Sequence, residues 1–189
     1  MKKSYQYSAE REIRTYEYLR QASKDAFNKA KRISEGSFFQ LMSCLVFSAF
    51  AVEAYLNHAG ERKINNWSEI EKNEPLEKLR VMYSYLHLEF DPSKRPIQTI
   101  KQLFKFRNFM AHGRTKNIKA SGLLRKPRPD PGEDLIETEW EKFCNENEAE
   151  RAISDVKKVL EILCEAAGLE KEMLFSLGNG SHIIENPQP

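Results

Sequence analysis

Apolar residues recur every three or four positions along most of this chain, the spacing of helices that bury one face. From about residue 8 to 33 the repeat is Ile13, Tyr16, Leu19, Ala22, Ala26 and Ala30, until Ser34-Glu35-Gly36 breaks it. A second run, residues 37–58, is apolar on most sides and is expected to stop at Gly60. A helix of that kind belongs in the middle of a bundle or at a subunit interface. After the polar connector INNWSEIEKNEP, a third helix is predicted over 75–88, with Pro75 in the first turn where its missing N–H costs nothing. DPSKRP precedes a fourth helix over 97–112, for which Gly113 stands ready as a left-handed cap. Residues 114–138 lose all period and hold Pro127, Pro129 and Pro131, so they read as a long inserted loop with room for a short strand pair. A last long helix is expected from Asn145, with Asn145 and Glu148 as a capping box, through Val156, Val159 and Leu163 to Gly168.

These elements predict an all-α antiparallel bundle of four to six helices, filling residues 1–170 as a single domain. Residues 171–189 are expected to add one helical turn and a loose tail. The run SFFQLMSCLVFSAFAVEAYL is about long enough to span a bilayer. Gln40, Ser43, Ser48 and Glu53 interrupt it, so a buried central helix is the expected reading, with no membrane association.

Composition changes this picture little. The chain has 189 residues, a formal net charge of +2 and 40% hydrophobic content, so no global field marks a nucleic-acid binder. Its 3 cysteines, Cys44, Cys144 and Cys164, lack C-x-x-C spacing. That argues against a disulfide framework or a zinc site and suits a reducing compartment. The N-terminal MKKSYQYSAEREIR stays polar without a signal-type apolar stretch, and a cytoplasmic location is expected.

The chemistry concentrates in FKFRNFMAHGR, residues 104–114. Ile100, Leu103 or Phe104, Arg107 and Ala111 share a stripe, so Arg107 interrupts an apolar face. Stripping a guanidinium of water is expensive unless it is paired. Asn108 and His112, four apart, lie beside it. Taken singly, Arg107 could run along the apolar face to reach water, and His112 could complement the helix dipole. Glu53 likewise sits inside an apolar helix and needs a partner, for which Arg107 or Asn108 is the candidate; the alternative is a carboxylate at a surface edge. After the motif, Arg114, Lys116, Lys119, Arg125, Lys126 and Arg128 run without an acid, either as a solvated loop or as a track for a nucleic-acid backbone. His58, His87 and His182 share no metal-ligand spacing, and no phosphate-binding glycine loop or nucleophile motif is present.

RNFMAHG resembles the signature of the HEPN domains (higher eukaryotes and prokaryotes nucleotide-binding): an Arg, a polar residue, a short spacer, then a His. SAFAVEAYLNHAG resembles the family's apolar helix with an acidic residue and a late Asn, here Glu53 and Asn57. The resemblance implies a helical bundle over about residues 8–170 and a metal-independent endoribonuclease without a cofactor. It implies that His112 moves a proton to or from the ribose 2′-hydroxyl or the 5′-oxygen, leaving a 2′,3′-cyclic phosphate. Imidazoles titrate near ~6.5, which suits such transfers. Arg107 would hold the phosphate, Asn108 would orient His112 or a phosphate oxygen, and Glu53 would brace Arg107. The same resemblance implies a homodimer with two motifs in one cleft. It further implies a toxin or an antiviral or stress effector, partnered by an antitoxin or a nucleotidyltransferase. A HEPN-like module that binds nucleotide or RNA, or mediates assembly without cleaving, uses the same residues.

Overall fold

The computed structural model describes residues 6–119 and 136–185. Over these residues the chain is mostly helical, with one two-stranded sheet. The elements are β1 (Gln6–Arg11), α1 (Thr15–Ala30), α2 (Ser37–Lys63), α3 (Trp67–Ile70) and α4 (Pro75–Tyr85). After these come α5 (Ile97–Ala111), α6 (Glu139–Phe143), α7 (Glu146–Ala166) and β2 (Gly180–Glu185). A single 3-10 turn at Lys171–Met173 leads from α7 toward β2.

α2 is the axis of the bundle, packing against α1, α7, α5, α4 and α3. Leu45, Ala49, Val52, Tyr55, Leu56 and Ala59 form its buried side. They meet Leu79 and Met82 of α4, Ile100 and Leu103 of α5, and Val156, Val159 and Leu163 of α7 in one continuous core. Each fully buried aliphatic side chain contributes about 1.5–3 kcal/mol relative to exposure. α2 is long and apolar enough, by length and composition, to cross a membrane; half of its most apolar window is buried inside this bundle. The other half includes a stripe along Phe39, Ser43, Val46, Phe47, Phe50 and Ala54 that stays exposed or half-buried. Phe39 is 62% exposed.

Several expectations need correction. Gly60 does not end α2, which runs to Lys63. Instead it makes room for an indole, since a Cβ there would lie 2.2 Å from the ring of Trp67. Gly113 is not a left-handed cap: α5 ends on His112 at φ −115°, and Gly113 is not among the positive-φ glycines. Gly168, by contrast, is left-handed at φ +58°. There the N–H groups of Gly168 and Leu169 donate to the carbonyls of Glu165 and Cys164, which closes α7 in a Schellman motif.

The first helix begins at Thr15, because residues 6–11 are a strand. Its partner is the stretch read as a loose tail: β1 and β2 pair antiparallel from Gln6↔Glu185 to Arg11↔Gly180. The crossing is tight, and Gly178 at φ +115° has no room for a Cβ against the carbonyl of Glu12. Beyond residues 120–135, Thr138 starts α6 with a full capping box to Glu141, an element absent from the sequence reading. Asn145 caps α7 by accepting the N–H of Glu148 at 3.0 Å.

Candidate functional site

α5 is set in place at its start by a buried carboxylate on α7. Asp155 accepts Nε and Nη2 of Arg95 at 2.7 and 2.8 Å and the hydroxyl of Thr99 at 2.6 Å. From that anchor the helix carries Arg107, Asn108 and His112 on its last turns, beside α2 and α4.

The guanidinium of Arg107 turns toward α2. Its Nη2 donates to Oε2 of Glu53, and its Nη1 donates to Oδ1 of Asn108 at 2.8 Å. The guanidinium also sits over the ring of Phe50, 5.5 Å from the centroid. Its Nε is buried with no hydrogen-bond partner among the described residues. Of the two partners expected for Glu53, the structure pairs it with Arg107. The other carboxylate oxygen accepts Nζ of Lys78 at 2.8 Å, and Lys78 makes a long 3.5 Å contact with Oδ1 of Asn57.

Lys78 is the member of this cluster that sequence reasoning missed. Its side chain is only 3% exposed, and it lies on the buried face of α4 with Pro75, Leu79 and Met82. The signal was present: a cation at helical spacing within an apolar face, the same feature that singled out Arg107. Two cations therefore share one carboxylate. Glu74, exposed at the rim and 3.5 Å from the amide nitrogen of Asn108, supplies the second negative charge.

His112 is exposed at the helix end, its backbone N–H donating to the carbonyl of Asn108 at 3.0 Å. The side chain of Asn108 is spent on Arg107 and reaches toward Glu74, not toward His112. Arg114, Lys116 and Lys119 follow on exposed chain without regular structure. Arg125, Lys126 and Arg128 lie outside the described residues. Among the described residues, no three of His, Cys, Asp and Glu converge as metal ligands.

A second polar cluster lies on the other side of α2, around a cavity of about 420 Å³ lined by Arg14, Tyr16, Tyr55, His58 and Arg62. Glu12 binds both arginines there, at 2.9 Å to Arg14 and 2.8 Å to Arg62. The hydrogen bond from Arg14 holds the Glu12 carboxyl below its ordinary range. Burial, and then the Arg62 guanidinium, push His58 down to about 4. Cys44, Cys144 and Cys164 are all buried and free, and burial raises each thiol above its ordinary value, so none is a ready thiolate.

Comparison with family models, with curated proteins and with solved structures returned no match.

Proposed function

We propose that this protein is a HEPN-like, metal-independent endoribonuclease that works as a dimer, with Arg107 and His112 carrying the chemistry. The observation that carries this reading is the end of α5, where an exposed imidazole follows an arginine held in one orientation by Glu53 and Asn108. Lys78 takes one oxygen of that carboxylate, so Glu53 does not neutralise Arg107 outright, and the guanidinium keeps an attraction for a phosphodiester. A guanidinium N–H with no partner among the described residues, costing on the order of 1–3 kcal/mol, is a local expense of the kind found at functional positions.

In the proposed reaction, His112 removes the ribose 2′-proton and the 2′-oxygen attacks phosphorus. The bond to the 5′-oxygen breaks, and that leaving oxygen takes a proton from a second imidazole or from water. Arg107 stabilises the equatorial oxygens as charge develops. One helix end supplies one imidazole, so a pair of them calls for a second copy. The exposed or half-buried stripe on α2 fits that requirement: it includes Phe50, beneath the Arg107 guanidinium, so a copy docked there would lie beside the motif. A toxin or antiviral effector in the cytoplasm, kept in check by an antitoxin or a nucleotidyltransferase, is the setting that fits such an activity.

One observation favours a second reading, a HEPN-like module that binds nucleotide or RNA, or supports assembly, without cutting. Arg107 is already engaged by Glu53 and Asn108, as in a purely structural ion pair. Incubation of purified protein with mixed RNA in EDTA separates the two. Cleavage leaving 2′,3′-cyclic phosphate ends, abolished in His112→Ala and in Arg107→Ala, is the expected result. Tight RNA binding without cleavage by the folded dimer would select the binding module.

A further inference from the structure

α5 has a third face. Gln102, Lys105, Phe106 and Phe109 recur at helical spacing on the side of α6, whose Trp140 and Phe143 pack against the two phenylalanines along a groove of about 430 Å³. Phe109 and Trp140 lie nearly parallel, with centroids 6.1 Å apart and planes at 28°, and both are half-buried. Phe106 and Phe143 close the floor, their centroids 5.3 Å apart. Nζ of Lys116 stands 5.4 Å above the Phe109 ring, and Lys105 is exposed one turn earlier on α5. A contiguous depression shares Phe109, Lys116 and Trp140 and reaches Gly113 and Arg114, the residues directly after His112. From Gln102 to Gly113 the trough follows α5 for about 16 Å at the helical rise.

We propose that this trough is a base-stacking subsite for single-stranded RNA. It seats nucleobases on Phe109 and Trp140, while Lys105, Lys116 and Arg114 hold the phosphates of the same strand as it approaches His112. The inference rests on the ribonuclease reading for what happens at that far end, and on the groove alone for binding. Aromatic faces interleaved with lysines are what an unpaired strand needs, because every base has a π face and every linkage a charge. A paired helix has its bases stacked internally and offers none to this groove. Of the acids at the rim, Glu139 pairs with Lys142 at 3.3 Å. Glu141, which accepts the N–H and hydroxyl of Thr138 at 2.7 and 2.6 Å and stays charged, is outnumbered by Lys105, Lys116 and Arg114.

The chain has 2 tryptophans. Trp67 is 3% exposed in the core, so a change in emission on adding RNA reports on Trp140. The probe is a mixed-sequence single-stranded octamer with 2′-O-methyl riboses, which binds without being cut, and the same sequence as a duplex. The single strand is expected to quench emission saturably and the duplex is not. Trp140→Leu should weaken binding about tenfold or more. The exposed Lys105→Ala should lower the slope of log K against log salt by about 0.7 while the protein stays folded.

Binding with unchanged emission, equal affinity in Trp140→Leu, or equal quenching by the duplex would overturn the subsite even if RNA is still cleaved. Emission that changes with protein concentration alone would also overturn it, giving the groove to a second copy of the chain. Quenching by the octamer with no cleavage of ordinary RNA would leave the subsite standing and remove the ribonuclease reading instead.

Discussion

Glu53 bridges two cations at the end of α5, with one carboxylate oxygen on Lys78 and the other on Arg107. Removing it as Glu53→Ala leaves a buried ammonium without a counterion, and the expected loss is about 3 kcal/mol in denaturant unfolding. Lys78→Met removes the opposite partner but leaves Glu53 with Arg107, so its cost should be clearly smaller. Equal losses would mean that the two cations do not share the carboxylate. Arg107 and Glu53 were legible in the sequence because a charge at helical spacing on an apolar face demands a partner. Lys78 met the same test on a shorter helix with fewer apolar neighbours to set the pattern. His58 gives a second expectation. The unfolded chain takes up its proton near 6.5, whereas in the fold burial beside Tyr16 and Tyr55, then the Arg62 and Arg14 guanidinium groups, hold His58 down to about 4 against the opposing pull of Glu12. Stability from this site is therefore complete above ~6.5 and is lost as the pH falls toward about 4. The lowered carboxyl of Glu12 adds its own loss only further down. Melting temperatures of His58→Gln should fall less between pH 7 and 4.5 than those of the native chain; parallel curves would contradict the assignment.

At the scale of the element, α2 shows where periodicity informs and where it fails. Its buried side follows from the apolar spacing, but its end does not, because a mid-helix glycine looks like a stop unless the ring that needs its space is known. Gly60→Ala should destabilise the protein by about 1–3 kcal/mol, since the added methyl meets the ring of Trp67 and either the helix or the indole must move. A neutral Gly60→Ala, measured by urea unfolding, would show that α2 and Trp67 do not approach this closely. The α6 helix was overlooked although its Thr-x-x-Glu start stands in the sequence, because five residues after a proline-rich stretch carry no period. The β1–β2 pair was illegible for a different reason. Neither strand shows a clean alternation, and each finds its partner at the opposite end of the chain.

For the whole molecule, the bundle leaves one long stripe of α2 exposed or half-buried beside the Arg107–Glu53 pair, and the proposed activity gains a second imidazole from a second helix end. Phe47→Glu places a charge in the middle of that stripe at a half-buried position, so it should convert a dimer to monomer by light scattering while leaving the circular dichroism of the bundle intact. An unchanged dimer would place the interface elsewhere. The mostly helical architecture was readable from spacing alone, whereas the proposed joining of two copies has no signature beyond excess apolar surface. The central claim, that Arg107 and His112 act as a unit on one phosphodiester, is tested most directly by a double-mutant cycle on RNA cleavage in EDTA. Rates are compared for the native chain, Arg107→Ala, His112→Ala and the double variant. The expected result is that each single substitution removes nearly all activity and the double variant is no worse than either. Losses that multiply, or cleavage that survives both substitutions, would contradict it.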